Sequence, residues 1–243
     1  MAGFTGAPPI VTDGLVFAVD AANYESYTSG SSTWYDLSGN GNHVNLYNSP
    51  IFSDNMLFGD GIDVYGRTQN TLDLTSYNAI TIISAFYVPS GSSSTSLIYE
   101  HSSNWNSSNN NYGGFGWAAN SDGYSFTYGV NHVQFKGNSG YSGKNLNSNV
   151  DNIGIYAVVH DVSQSGQDET SIYPNGSIEG SYGTKWNSDN TNNFGNEHLY
   201  LWSRNGSIAI AAAPIAFIFI YNKALSEIEI AKIYNALKSR FNL

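Results

Sequence analysis

Short runs of β-branched and aromatic residues, separated by Asn, Gly, Ser and Asp, follow one another along most of the chain. Examples are GLVFAVD near the amino end, GIYAVVHDV in the middle and IAFIFIY near the carboxyl end. This spacing is typical of a sandwich or barrel of about a dozen short strands. Because the strands do not alternate with helical segments, a parallel α/β sheet is not expected. The pattern therefore predicts an all-β fold.

One segment, residues 226–241, has the periodicity of an amphipathic helix. Ser226 and Glu229 form the S-x-x-E pattern of a capping box, which marks a helix start. Apolar residues then recur at intervals of three and four, so that they form one stripe along the helix. The stripe consists of Ile230, Ile233, Tyr234, Leu237 and Phe241. We expect this helix to lie outside the β structure with its stripe facing inward.

Turn residues divide the predicted strands. Three Asn-Gly pairs, at 40–41, 175–176 and 205–206, suit type I′ hairpin turns. The longest apolar run, residues 208–221, is too short to span a bilayer and carries Pro214 in its middle. It predicts two buried strands that are split at the proline.

Three stretches rich in Asn, Ser and Gly are predicted to be long loops: 101–116, 137–152 and 183–197. Loops of this length in a compact domain often carry function. No linker divides the chain, and the predicted helix follows directly on the last predicted strand. Residues 1–243 are therefore predicted to form a single domain.

The net charge of the chain restricts the classes of partner that it can bind. Nine basic residues stand against 19 acidic ones, and the formal net charge is -10. Such a chain cannot neutralise a run of phosphates, which argues against nucleic acid as the main partner. Its negative net charge also disfavours binding to an anionic membrane surface. The absence of cysteine excludes disulfides, thiol nucleophiles and cysteine metal sites. The first residues lack the basic and apolar regions of a secretory signal, so none is expected.

Both ends of the chain resemble laminin-G-like jelly rolls of the concanavalin A-like lectin and glucanase superfamily. The resemblance is carried by DGLVFAVDAANYESY at 13–27, TWYDLSGNGNHVNLYNSPIF at 33–52 and FGDGIDVY at 58–65. IYPNG and the closing IAFIFIYNKALSEIEIAKIYNALKSRF are similar to the family's hairpin and to its final strand and helix. Residues 90–170 resemble the family only in the general character of the sequence, not in specific motifs. The resemblance implies a two-sheet antiparallel jelly-roll sandwich with a C-terminal α-helix.

Two phrases, DAANYESY at 20–27 and NALKSRF at 235–241, are most similar to copies carried in structural proteins of tailed bacteriophages. What this implies is a virion protein that decorates the capsid surface or a tail appendage and contacts other virion proteins. Binding to host surface glycans and a homotrimeric state are further expectations of this interpretation. The alternative is a secreted microbial carbohydrate-binding module, or a glycoside hydrolase of the same superfamily.

The sequence lacks the paired acids of the superfamily's hydrolases. Their strand motif, E-x-D-x-x-E, would place two carboxylates on one strand face, and retaining glycosidases need about 5 Å between them. Only Glu227 and Glu229 are closely spaced glutamates, and capping of the helix start accounts for them. We therefore expect a protein that is not an enzyme.

Calcium is a candidate ligand, because jelly rolls of the resembling type often hold one Ca²⁺ near a sheet rim. The turn DLSGNGN could supply Asp36, Asn40 and backbone carbonyls, with Asp20 from the preceding strand end. The acid that the family often carries before its closing strand is missing from AAAPIAFIFIY. The alternative is that Asp36 and Asn40 cap a turn through their own backbone.

Glycan binding needs flat aromatic faces together with planar amides or carboxylates. Two of the predicted loops offer both. The candidate residues are Trp105, Asn106, Tyr112 and Trp117 around the first loop, and Trp186, Asn187 and Phe194 in the second. The alternative is that the tryptophans belong to the core or hold long loops in place.

Overall fold

The computed structural model describes residues 10–88, 96–102, 112–119, 131–146, 152–166, 168–177 and 182–243, with the backbone alone for 131–132 and 182–186. Within these residues the strands are β1 (Leu15–Asp20), β2 (Thr33–Trp34), β3 (Val44–Tyr47), β4 (Ile51–Ser53), β5 (Met56–Phe58), β6 (Tyr65–Thr68), β7 (Leu72–Asp73), β8 (Ala79–Phe86), β9 (Ser96–His101), β10 (Gly114–Ala119), β11 (Asn131–Lys136), β12 (Tyr141–Leu146), β13 (Gly154–Asp161), β14 (Thr170–Pro174), β15 (Tyr182–Asn187), β16 (Asn196–Glu197), β17 (Leu199–Leu201) and β18 (Pro214–Tyr221). Helix α1 spans Glu227–Leu237, and a 3₁₀ turn follows at Lys238–Phe241.

Two large antiparallel sheets are stacked on each other. A seven-stranded sheet has the order β14-β13-β8-β18-β5-β4, and β1 also pairs with β18. A nine-stranded sheet has the order β15-β12-β11-β10-β9-β17-β6-β3-β2, and β7 pairs with β16 in a small ribbon. With α1, these sheets confirm the predicted two-sheet jelly-roll sandwich. Among the described residues, no helix is both long enough and apolar enough to cross a membrane.

Strand β18 lies in the middle of the seven-stranded sheet. It pairs with β8 along one side and with β1 and β5 along the other, and all eight of its residues are buried. Its sequence, PIAFIFIY, is apolar at nearly every position because both faces of the strand are covered. Ile218 and Ile220 belong to the core between the sheets, whereas Phe217 and Phe219 belong to the core under the helix.

The core between the sheets is rich in large aromatic side chains. Trp34, Trp117 and Trp202 are fully buried there. The ring of Phe86 meets Trp117 edge-on at 5.0 Å between centroids, and Tyr156 tilts against both rings. Such contacts add about 0.5–1.5 kcal/mol per pair beyond the burial of apolar area.

The helix covers the outer face of the seven-stranded sheet, as its stripe predicted. Ile230, Ile233 and Leu237 are buried in one cluster with β18 residues, and Ser226 and Glu229 form the predicted capping box. The last predicted helical turn is instead the 3₁₀ turn. Arg240 in this turn donates bidentate hydrogen bonds of 2.7 and 2.8 Å to Asp20 on β1.

Several predicted loop and strand boundaries were wrong. Strands β12 and β15 occupy parts of the predicted loops 137–152 and 183–197, and β10 begins inside the stretch 101–116. Their sequences, YSGKNL, YGTKWN and GFGWAA, contain glycine and asparagine, which strands seldom favour. The run 208–221 forms one strand rather than two, and Pro214 is its first residue, where no ladder N–H is needed.

The Asn-Gly turns were predicted correctly in two of three places. Asn175-Gly176 and Asn205-Gly206 have positive φ at both residues, as a type I′ turn requires. At the first pair Gly41 has a positive φ but Asn40 does not, so this pair is no type I′ turn. The sequence analysis missed Asp54-Asn55, which joins β4 to β5 with positive φ at both residues.

Two histidines are buried between the sheets. His101 stacks on Phe115 with 4.9 Å between ring centroids, and its Nε2 lies 2.9 Å from the Leu72 carbonyl oxygen. His160 Nδ1 lies 2.9 Å from the Thr170 hydroxyl. Desolvation lowers the pKa of His101 to about 4 and the pKa of His160 to about 3. Both imidazoles are therefore neutral in the folded protein at pH 7.

The protein should lose stability as the pH falls from about 6.5 towards 4. In the unfolded chain these histidines take up protons near their ordinary pKa of about 6.5, whereas the folded protein resists protonation. At pH 4.5 we expect each histidine to lower the free energy of unfolding by roughly 2 kcal/mol relative to pH 7. Urea denaturation at both pH values measures this difference.

The variant His160→Gln should show a smaller loss between pH 7 and 4.5, because it lacks one titrating imidazole. His198→Gln changes a half-buried histidine outside this core and serves as the matched control. An unchanged pH dependence in His160→Gln would contradict the assignment.

Candidate functional site

The outer face of the nine-stranded sheet lies on the side of the molecule away from α1. One residue from each of eight neighbouring strands lines up across it through direct cross-strand pairing, and we call this set the central row. The central row is Asn45, Arg67, Tyr200, Glu100, Gly116, Gln134, Gly143 and Trp186. Adjacent strands lie about 4.8 Å apart, so the row is roughly 34 Å long.

The alternation of strand residues explains this face. Leu46, Leu201 and Val133, each next to a row residue in sequence, belong to the core between the sheets. Successive strand residues point to opposite faces, so the row residues lie on the outside. The row contains mainly polar residues, whereas their neighbours on the inner face are apolar.

At the middle of the row, Glu100 is held by Arg204. The Nε atom of Arg204 donates to both carboxylate oxygens at 3.0 Å, and one Nη atom donates to Oε2 at 2.8 Å. Glu100 is fully buried. Burial raises the pKa of Glu100, and the hydrogen bonds and charge of Arg204 act in the opposite direction. The guanidinium thus satisfies a carboxylate that would be costly to bury alone.

A tight turn begins at Arg204, three residues after the end of β17. Asn205 and Gly206 have φ values of 52° and 73°, and the Ser207 amide donates to the Arg204 carbonyl at 3.2 Å. Gly206 lies against Tyr65, and a Cβ atom there would stand 2.8 Å from its ring. The Tyr200 hydroxyl donates to the Asn205 side chain at 3.1 Å. Glycine is therefore required at 206 by both conformation and space.

Beside the row, Tyr47 and Tyr65 form a stacked pair. Their ring centroids are 4.4 Å apart with an interplanar angle of 10°, and the two residues are paired directly across β3 and β6. Burial, with smaller contributions from Tyr47 and Tyr200, raises the pKa of Tyr65, and the charge of Arg67 acts against this rise. Two aromatic rings, a third tyrosine and a guanidinium therefore share one corner of the face.

The sequence-predicted glycan residues do not form one site. Trp105 and Asn106 lie outside the described residues. Trp117 is fully buried in the core, so its prediction was wrong, because its indole ring cannot reach a sugar in solution. Phe194 is likewise buried, against Phe115 and Phe135.

The remaining predicted residues are spread over the sheet. Tyr112 precedes β10 and is 39% exposed. Asn187 is exposed on β15, opposite Ser142, and the backbone register sets Trp186 opposite Gly143 in the central row. Consecutive strand positions belong to opposite faces of a sheet, so Trp186 and Asn187 do not share a face. Their joint role in one glycan site remains a prediction that the register does not favour.

Of the three predicted calcium ligands, the two aspartates already accept hydrogen bonds from protein donors. Asp36 accepts hydrogen bonds from the amides of Ala18, Ser38 and Asn42 and from the Ser38 hydroxyl. The Asn40 side-chain amide donates to the Val16 carbonyl oxygen.

Asp20 is taken up by Arg240, as described above, and its Oδ1 also accepts the Ala22 amide. Within the described part of the chain, no group of three acidic or histidine residues is arranged to hold a metal ion. These residues therefore do not fit a calcium site, and their geometry is that of the alternative, a turn capped by its own backbone.

The sequence analysis missed Arg67, Tyr47, Tyr65 and the Glu100–Arg204 pair. Each residue is unremarkable within its own strand, and the cluster arises only from pairing between strands that are far apart in sequence. The Asn205-Gly206 turn was the one available signal, because it predicted that the chain doubles back immediately after Arg204.

Comparisons with known proteins bear on the fold. No model of a known protein family matches the chain, and no curated protein matches it. Among solved structures it is similar to the receptor binding domain of botulinum neurotoxin D, with a TM-score of 0.66 and 10% identity over 92% of this chain and 53% of that one. It is also similar to Trypanosoma rangeli sialidase in complex with sialic acid, with a TM-score of 0.63 and 13% identity over 97% of this chain and 36% of that one.

These likenesses concern the fold. The chain spans about half the length of the toxin structures and about a third of the sialidase. At this identity the shared feature is the path of the backbone. The chain therefore has a two-sheet jelly-roll sandwich fold, which the resemblance at its two ends had predicted.

Removal of divalent cations should leave the melting temperature unchanged, because the oxygens of Asp36 are occupied by N–H and O–H donors. A chelator titration followed by thermal melting measures this. Asp36→Asn should lower stability by about 1–3 kcal/mol, because an amide cannot accept the same four hydrogen bonds. A melting temperature that falls with chelator would restore calcium as a ligand.

Proposed function

We propose that this chain is a glycan-binding protein without enzymatic activity, and that the glycan binds at the β3–β6 end of the central row, near the Tyr47–Tyr65 pair. The arrangement of that corner carries the proposal. Sugars are bound by aromatic rings that pack on their C–H faces and by planar polar groups that pair with their hydroxyls. The half-buried Tyr47 supplies a ring, and Asn45, Asn205 and Arg67 supply planar polar groups nearby.

The accessible part of the central row is its end on β3 and β6. Asn45 and Arg67 are half-buried there, whereas Tyr200, Glu100 and Gln134 further along the row are buried. A ligand would therefore contact the corner formed by Asn45, Arg67 and the tyrosine pair rather than the whole row.

No second acid among the described residues acts on the pKa of Glu100, and this favours binding over hydrolysis. Retaining and inverting glycosidases need a second carboxyl group within about 5–10 Å of the first. Among the described residues, Arg204 is the only charged group that shifts the pKa of Glu100. A glycoside hydrolase of the same superfamily remains the alternative, and cleavage of a bound glycan would favour it.

The names of two similar structures add support. One is a botulinum neurotoxin serotype D ligand binding domain in complex with N-acetylneuraminic acid, with a TM-score of 0.64 and 10% identity over 93% of this chain and 51% of that one. The other is the sialidase with sialic acid described above. Those whole proteins bind an acidic sugar, and the proposal extends carbohydrate binding to this chain.

The proposed setting is the virion of a tailed bacteriophage, on the capsid surface or on a tail appendage, with other virion proteins as partners. The phrases at 20–27 and 235–241 support this setting through their resemblance to phage copies. The alternative setting is a secreted microbial carbohydrate-binding module. Mass spectrometry of purified virions from the source phage should detect the chain, and its absence there would exclude the virion role.

A glycan array should show saturable binding of the purified protein to a defined class of glycan. Tyr47→Ala should then weaken binding by about 1–2 kcal/mol, because it removes a ring that would pack on the sugar. Titration of the best array glycan into wild type and variant measures the change in Kd.

Tyr234→Ala, on α1 at the far side of the molecule, is the matched control and should leave Kd unchanged. Thermal melts of both variants separate a loss of affinity from a loss of folding. Binding that is unaffected by Tyr47→Ala would move the site away from this corner, and silence on the whole array would reject glycan binding.

A further inference from the structure

Arg67 differs from the other two arginines of the chain. Arg204 and Arg240 each bind a carboxylate in bidentate fashion, on Glu100 and Asp20. Arg67 makes no ion pair and no side-chain hydrogen bond within the described residues, and its Nε atom is buried without a partner. A guanidinium has five N–H donors, and leaving a buried one unsatisfied is costly.

The lack of a partner is not due to a shortage of acids. The chain has 19 acidic residues and only nine basic ones. The residues paired directly opposite Arg67 are Asn45 on one side and Tyr200 on the other, and neither is a carboxylate. Glu100, two strands away at about 10 Å, is already held by Arg204. Arg67 is thus a positive charge with no acidic partner among the described residues, on a protein of net negative charge.

The surroundings of Arg67 restrict what its ligand can be. Tyr65 lies two positions before Arg67 on β6, so the two side chains are neighbours on the same face of the strand. Tyr65 also stacks on Tyr47, and an aromatic surface therefore lies next to the guanidinium. Asn45 lies beside it on the next strand, where its Oδ1 accepts from Gln69 at 2.9 Å. A flat guanidinium recognises a carboxylate through two parallel hydrogen bonds. A ligand that combines a carboxylate with a C–H face would fill both features.

We infer that the glycan of the proposed function carries a carboxylate, as in a sialic or uronic acid, and that Arg67 binds this group while the tyrosines contact the sugar ring. The inference rests on the proposed glycan binding and adds the chemical class of the sugar. Arg67 is then the residue that selects acidic over neutral glycans.

The test compares acidic glycans with their uncharged methyl esters. Sialyllactose and tetragalacturonic acid are each titrated into the protein beside the corresponding ester, and Kd is measured by calorimetry. The wild type should bind at least one acid about tenfold to a hundredfold more tightly than its ester, which is the range expected for hydrogen bonds to a charged group. The preference should shrink as salt is added, because the ion pair is partly exposed.

Variants then assign the preference to Arg67. Arg67→Gln should reduce the ratio of the two Kd values to less than about twofold, because it weakens binding of the acid far more than binding of the ester. Arg67→Lys should keep part of the preference. Lys232→Gln removes one positive charge from an exposed position on α1 and should change nothing. It therefore controls for the change in net charge.

The outcomes separate the two claims. Binding of neutral glycans with no preference for either acid would overturn the acidic ligand and leave the proposed function intact. An acid preference that survives Arg67→Gln would overturn the role of Arg67. Silence toward every glycan on the array would overturn the proposed function and this inference together.

Discussion

The structure depends on the burial of β18 on both of its faces. An extended strand can lie between two apolar layers only when its backbone groups are paired on both edges, because an unpaired amide there would be costly. Here β8 pairs along one edge, and β1 and β5 pair along the other. The last long strand thus joins the first one, and the two apolar layers on either side of it are the core between the sheets and the core under α1.

The outer faces of the two sheets differ in polarity. The outer face of the seven-stranded sheet is apolar where α1 covers it. On this side of the molecule Arg240, in the turn after α1, forms an ion pair with Asp20. The nine-stranded sheet carries polar and aromatic side chains on its outer face. There Arg204 binds Glu100, while Arg67 has no ion-pair partner among the described residues. The three arginines therefore differ in their contacts: Arg204 and Arg240 bind carboxylates of this chain, and Arg67 is the one that the proposed function assigns to a ligand.

Local patterns in the sequence predicted the fold but not the site. The capping box and the apolar stripe of α1 depend on neighbours close in sequence, and both were predicted correctly. IAFIFIY was correctly predicted as a strand, although the run 208–221 was wrongly divided into two strands. Strands such as YGTKWN and YSGKNL have weak local preferences and are held by their neighbours in the sheet, so they were taken for loops. Trp117 illustrates the same limit, because its burial depends on Phe86 and Tyr156 from the facing sheet. The corner around Arg67 is formed by residues of β3, β6 and β17. Because these strands are distant in sequence, no motif within one segment predicts it.

The ion pair between Arg240 and Asp20 also fixes an orientation. It ties the carboxyl-terminal turn to the end of β1, and both lie in the layers opposite the central row. A body joined to the chain through that turn would therefore sit behind the sandwich. The tyrosines and Arg67 would then point outward, towards whatever surface approaches from the far side.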